Sequence, residues 1–436
     1  MRILYLAYAC EPGAGSEYGV GWMVPLTMAM QHPEHEVFIL TRSKSRQKID
    51  QTVSALAEGE EPIRNIHVQY YDIPSWLYYK KEMQSHWGEQ YNYWMWQVCA
   101  RRTVRDIVRN SGIDLIHHIT FNQYRTPSPG YWMDIPFIIG PIGGAELIAP
   151  AFWQDLDPHT ARKEAIRMKG RDLPLFRWLN RRSKNKKVIL FSAKENQKRL
   201  IPYSGDSEVR LMPAIGISKH DISSFPQPSS SNTSLLSSSL APHPSSMIYA
   251  GKALDWKGLH IFLRSAARAR QLLLSEGKSE EAGFSIKLIG IRTEDEQKKV
   301  RGWVEAQGLT EQVELIAFMQ RDELLKVMSA CSLSVYPAFR DSGSMSVLEA
   351  CSLGCPTICF DAGGQDAFPD DILIKVRVGE TYEACVEAFA ERLAWCCSHP
   401  AELSSIGQRS RIWVAENLTW EKKIQQYDEI YRSLLL

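Results

Sequence analysis

Four charged side chains carry the first hint of chemistry. In "AFRDSGSMSVLEACSLG", residues 338–354, Asp341 stands at the mouth of a glycine and serine turn, and Glu349 lies eight positions on, inside an apolar run that Gly354 closes. In "MIYAGKALDWKGLHIFL", residues 247–263, Lys252 ends an apolar run and Lys257 opens the next amphipathic one. Two ammonium groups beside a helix start suit a pyrophosphate, and the two carboxylates together could grip a polar ligand. The plainer alternatives are solvated lysines, an Asp341 favoured by the helix dipole, and a capping box made by Ser346 and Glu349. A third loop, "FDAGGQDAF" with Gly363 and Gly364, is expected beside them. Near the start, "EPGAGSEYGVGW" offers Gly13, Gly15, Ser16, Glu17 and Gly19 at a strand-to-helix turn whose free amides suit an anion or a sugar hydroxyl. It is no dinucleotide fingerprint, because Tyr18 stands where the third glycine belongs and the next strand ends in Thr41 and Arg42, without an acid for a ribose.

The elements that must hold these residues are short β-branched runs alternating with amphipathic segments. "RILYLAYAC", "EVFILTR", "IHVQYYD", "DLIHHIT", "PFIIG" and "KVILFSA" precede a stretch from Pro226 to Ser246 with nine serines and four prolines; "MIYAGK", "FSIKLIG", "VELIAF", "LSVYP", "PTICFD" and "ILIKV" follow it. Apolar strands alternating with helices imply parallel sheets covered on both faces, with ligands beyond the strands' carboxyl ends. A chain of 436 residues exceeds the ~250–300 at which one core stops growing. The expectation is two doubly wound Rossmann-like α/β domains facing a cleft: 1–225, a linker at 226–246, and 247–415. A closing helix over 416–436 presents Trp420, Ile424, Tyr427, Ile430, Tyr431 and Leu434 on one face, so it must cover something, and the first domain is the expected partner.

Composition excludes other classes. A formal charge of +1 speaks against a nucleic-acid binder. Nine scattered cysteines, an odd number mostly within apolar runs, read as reduced thiols, and no Cys/His set has zinc spacing, so no metal site is expected. The N-terminus lacks the features of a signal peptide and no apolar run reaches 18 residues, which predicts a cytosolic protein, at most peripheral on the inner face of a membrane. Residues 161–187 hold eleven Lys/Arg against Glu164 and Asp172, either a solvated helical hairpin or a contact for anionic lipid. The aromatic run over 75–97 could be core, a platform for a ligand or a membrane contact.

The lysine and carboxylate segments, with "TWEKKIQQYDEIYRSLL" at the end, resemble the C-terminal half of retaining glycosyltransferases of family 4, whose two-domain architecture is called GT-B. "GSEYGVGW", "VFILTR", "DLIHHITF" and "GPIGGAE" resemble the N-terminal half of a bacterial branch of that family. The resemblance implies a first domain that binds the acceptor and a second that binds a nucleotide sugar of UDP or GDP type, with no other cofactor. It gives Lys252, after Gly251, and Lys257 the donor diphosphate, the first a departure from the usual arginine that loses its bidentate fork. It gives Glu349 the ribose and Asp341 the donor sugar, where the family has a longer glutamate. The amides of Ser342, Gly343, Ser344 and Met345 would line the sugar and phosphate, with Gly364 alongside. One histidine of "DLIHHIT" would stand near the reacting sugar; strand alternation sends His117 and His118 to opposite faces, and the reading favours His118. The implied reaction is metal-independent transfer of a sugar, with retention, to a hydroxyl of a glycan or lipid-linked acceptor. A nucleotide-sugar epimerase and a non-catalytic nucleotide-sugar-binding protein are the alternatives.

Overall fold

The computed structural model describes residues 1–80, 86–219, 222, 245–343 and 345–436. Residues 226–244 of the expected linker and Ser344 lie outside that set. The described chain forms two compact units.

The first unit comprises Met1–Ala145, Gly170–Gly216 and Trp420–Leu436. Its strands β1 (Arg2–Leu6), β2 (Glu36–Thr41), β3 (Ile66–Tyr70), β4 (Leu115–His118), β5 (Phe137–Ile142), β6 (Lys187–Phe191) and β7 (Glu208–Leu211) form one parallel sheet in the order β3-β2-β1-β4-β5-β6-β7. Alternation along β1 divides the core: Ile3 and Tyr5 face one apolar layer, Leu4 and Leu6 the other. Helix α1 (Ser16–Gln31) belongs to the first layer, and helices α3 (His86–Cys99) and α4 (Arg101–Ser111) to the second, while α2 (Arg46–Glu58) joins β2 to β3. The last helix, α14 (Trp420–Leu435), buries Trp420, Ile424, Tyr427, Ile430, Tyr431 and Leu434 in the layer of α1.

The second unit comprises Glu146–Lys169 and Ile217–Thr419. Strands β8 (Ser246–Ala250), β9 (Ser285–Ile289), β10 (Val313–Ile316), β11 (Leu333–Tyr336), β12 (Thr357–Phe360) and β13 (Ile374–Val376) form a parallel sheet in the order β10-β9-β8-β11-β12-β13. Helices α8 (Leu259–Ser275), α9 (Glu294–Ala306), α10 (Arg321–Ala330), α11 (Met345–Ser352), α12 (Tyr382–Ser398) and α13 (Pro400–Asn417) complete it.

The unit boundaries correct the division expected from sequence. Residues 146–169, with helix α5 (Pro158–Met168), fall in the second unit although they lie within 1–225. The cause is Phe152, whose fully buried ring stacks on Phe339 with centroids 4.0 Å apart. The second unit also extends to Thr419, so the change occurs at Trp420 and not at 416.

The basic stretch 161–187 is accordingly no single hairpin. Helix α5 lies in the second unit, whereas α6 (Pro174–Arg182) lies in the first, where α7 (Lys194–Leu200) follows β6. Arg167 and Lys187 are buried; Arg181, Arg182, Lys184 and Lys186 remain exposed. The aromatic run divides too, with Tyr93 and Trp96 in the core and Trp76 and Trp94 on the surface; its residues 81–85 lie outside the described set.

Candidate active site

In the second sheet the strand order reverses between β8 and β11, and a crevice outside the carboxyl ends of such strands is where open α/β sheets bind ligands. Both reactive loops leave the sheet there. After β8 a turn over Asp255–Lys257 leads into α8 through Gly258, whose φ of +70° suits glycine. A Cβ on Gly258 would lie 2.0 Å from the carbonyl oxygen of Pro337, so the absent side chain lets this turn press against the loop that follows β11. Close approach of the two loops brings Lys257 to Asp341: its ammonium donates to Asp341 Oδ2, and the Tyr336 hydroxyl donates to the same oxygen. Lys257 Nζ also lies 3.2 Å from the Tyr336 hydroxyl. Asp341 Oδ1 accepts the Gly343 amide at 3.3 Å, and the Asp341 carbonyl accepts the Gly364 amide at 2.6 Å. Cβ atoms on Gly363 or Gly364 would come within 2.9 Å of the Asp341 backbone, which explains two glycines in the third loop.

Glu349 is buried in α11, where its Oε1 accepts Arg321 Nε at 3.0 Å. Ser346 already lies inside the helix, so it is not the N-cap that a capping box with Glu349 requires. Met345 opens the helix, and Ser342 and Gly343 lie in the half-buried turn before it. Gly251 closes β8 by donating its amide to Ile289, and Lys252 beside it is exposed. The structure thus gathers Lys257, Asp341 and the amides of Gly343 and Gly364. It adds Tyr336 and Arg321, which spacing did not flag. Tyr336 had a signal, being the last polar group of the strand "CSLSVYP"; Arg321 had none beyond its place at the start of α10.

In the first unit the strand order reverses between β1 and β4. Gly13 has φ +69°, Ser16 opens α1 with φ +53°, and both are exposed with Gly15. Gly19 allows close packing, since its Cβ would fall 2.3 Å from the Ala14 carbonyl oxygen. Glu17 accepts the Phe121 amide at 2.9 Å, which ties this loop to the end of β4, and burial raises its carboxyl above the usual range. His117 and His118 do point to opposite faces, but both are buried. His117 contacts the Tyr431 hydroxyl at 2.6 Å and the Gly140 carbonyl at 3.0 Å; His118 Nε2 lies 3.0 Å from the Thr120 carbonyl and 3.2 Å from the Tyr93 hydroxyl. Burial lowers them to about 3 and about 4, so both are neutral at physiological pH. Neither stands on an open surface.

Among the described residues, His32, Glu34 and His35 bring ligand atoms within 4.8 Å of one another. They lie at the carboxyl end of α1, and Arg432 holds Glu34 at 3.2 Å while Asp428 holds His35 at 2.8 Å. No helix of the described residues is long and apolar enough to cross a membrane.

Residues 237–413 match the family described as glycosyl transferases group 1. No curated protein matches the chain in sequence. Among solved structures it is similar to sucrose-phosphate synthase from Thermosynechococcus elongatus, with TM-score 0.66 and 15% identity over 99% of this chain and 98% of that one. It is also similar to WaaG, a glycosyltransferase involved in lipopolysaccharide biosynthesis, with TM-score 0.58 and 13% identity over 98% and 99% of the two chains. Anabaena HepE in complex with UDP and glucose matches with TM-score 0.57 and 15% identity over 99% and 100%. At such identities the likenesses establish the GT-B fold, and the family match on the second unit assigns the chemistry. The chain therefore carries a group 1 glycosyltransferase domain and is a glycosyltransferase of GT-B fold.

Proposed function

We propose that the enzyme transfers a sugar, with retention and without a metal, from a UDP or GDP sugar to a hydroxyl of a glycan or lipid-linked acceptor. The observation that carries this reading is the cluster of Lys257, Tyr336 and Asp341 at the strand reversal of the second sheet. Transfer breaks the bond between the anomeric carbon and the diphosphate oxygen, forms one to the acceptor oxygen, and passes the hydroxyl proton to the departing phosphate. Negative charge grows on the diphosphate, so stabilisation must be concentrated there. Lys257, the exposed Lys252 and the amino end of α11 supply positive potential at that place. Glu349, steadied by Arg321, takes the ribose hydroxyls, and Asp341 faces the donor sugar directly or through water. HepE, of the same fold, has been solved with UDP and glucose, which supports a uridine donor first. Gly13, Gly15, Ser16, Glu17 and Gly19 receive the acceptor, and the exposed cations of α6 offer an anionic membrane a contact at the cytoplasmic face.

The test is incubation with UDP, GDP, ADP and dTDP sugars and a panel of glycan and glycolipid acceptors, with and without EDTA. Acceptor-dependent release of nucleoside diphosphate that survives EDTA, with a product of unchanged anomeric configuration, is the expected result. Isomerised sugar would indicate an epimerase, and binding without product a sugar-binding protein. Loss of activity in EDTA that magnesium or manganese restores would sink the metal-independent route.

A further inference from the structure

We propose that Glu164, far from the donor loops in sequence, is a positioning residue of the donor site that acts through Arg340; the inference rests on the transferase reading above. Glu164 is only 1% exposed. Its Oε1 accepts Arg167 Nη1 at 2.7 Å and also Arg340 Nη1, and its Oε2 accepts the Ile148 amide at 3.3 Å. Arg340 immediately precedes Asp341, so the guanidinium anchors the loop one residue from the donor-facing carboxylate. Phe339, one residue earlier, is anchored by the stack on Phe152. The same excursion of the chain also holds the opposite loop, since the Asp157 amide donates at 2.8 Å to Asp255, the first residue of the turn that ends in Lys257.

Residues 146–169 therefore grip both sides of the Lys257–Asp341 pair. A buried carboxylate between two guanidinium groups resists displacement, because removing it leaves uncompensated charge. Displacement of a reacting group by about 1 Å can cost on the order of 100-fold in rate. Glu164 touches no substrate in this account. Its effect passes through the backbone of Arg340 and Asp341.

The experiment uses the full chain and four variants: Glu164→Gln, Arg340→Met, the double variant, and Arg167→Met as the control that breaks the other ion pair on Glu164. With the best nucleotide sugar, Glu164→Gln and Arg340→Met should each lower kcat/KM at least ~10-fold, and the double variant no further than either single one. Arg167→Met should lower kcat/KM less than either, since Arg340 still ties Glu164 to the loop of Asp341. Hydrogen exchange supplies a readout independent of turnover. The amides of Gly343 and Gly364, which donate to Asp341, should exchange faster in Glu164→Gln and Arg340→Met only. If Glu164→Gln does not fold, Arg340→Met alone gives the same two readouts. Multiplying effects in the double variant, an equal loss in Arg167→Met, or unchanged exchange overturns the positioning role. A parent enzyme that releases no nucleoside diphosphate while the exchange pattern holds sinks the transferase reading instead.

Discussion

Lys257 and Asp341 stand 84 residues apart in sequence and form an ion pair where the strand order of the second sheet reverses. The lysine proposed for the donor diphosphate is thus already paired with a carboxylate. On the proposed reading a diphosphate competes with Asp341 for that ammonium, and the carboxylate is freed as the phosphate takes the cation. Tyr336, bonded to the same carboxylate oxygen, remains to orient it.

This competition gives opposite signs for binding and turnover. Asp341→Asn should bind UDP or GDP about five-fold more tightly, the worth of a partly exposed ion pair near 1 kcal/mol, while kcat falls by about 100-fold or more. Lys257→Met should lose both. Calorimetric titration beside initial-rate kinetics checks this; weaker nucleotide binding by Asp341→Asn would show that the pair is not a competitor.

Glu349 is expected to act on the nucleoside and not on the phosphates. Glu349→Gln should weaken UDP or GDP binding about ten-fold or more, as for loss of a charged hydrogen bond of ~1.5–3 kcal/mol, and leave inorganic pyrophosphate binding unchanged. Arg321→Met, which removes the partner 3.0 Å away, should give a smaller loss with the same selectivity. Equal weakening of UDP and pyrophosphate would place Glu349 at the diphosphate.

The scaffold was far more legible in the sequence than the contacts within the site. Twelve of the strands announce themselves as β-branched runs, but β7, "EVRL", lies at the sheet edge with two charged residues among its four and carries no such signal. Strand-end logic placed the lysine and carboxylate loops on one edge because a parallel sheet leaves little choice. It could not find Glu164 beside Arg340, since an ion pair between residues 176 positions apart leaves no periodicity. The burial of both histidines was illegible for a related reason: alternation fixes which face a side chain takes, but not that helices α3 and α14 cover both faces.

Gly258 tests whether loop contact sets the geometry. Gly258→Ala should strain a φ of +70° and meet the Pro337 carbonyl, a combined cost of about 1–3 kcal/mol to the second unit. Separation of the Lys257 turn from Asp341 should lower kcat/KM beyond what the lost stability accounts for. Kinetics measured well below the melting transition separate the two effects, and full activity there would show that Lys257 reaches Asp341 without this contact.

The buried histidines predict how the first unit responds to acid. Their folded values of about 3 and about 4 lie below the ordinary 6.5, so between those limits the unfolded chain binds more protons and stability must fall as pH falls. From pH 6.5 to 5 each contributes a loss on the order of 2 kcal/mol, and above pH 6.5 both contributions are fully present. Lys423, buried in α14 and lowered to about 7, acts elsewhere: its slope lies between 7 and 10.5, where stability rises with pH. Urea unfolding of the first unit at pH 5, 6.5, 8 and 9.5 should therefore show a steep acid limb and a rising alkaline one. His118→Gln should flatten only the first and Lys423→Met only the second, because each removes one titrating group and leaves the other in place. An acid limb unchanged in His118→Gln would mean that His118 is protonated or hydrated in the folded protein.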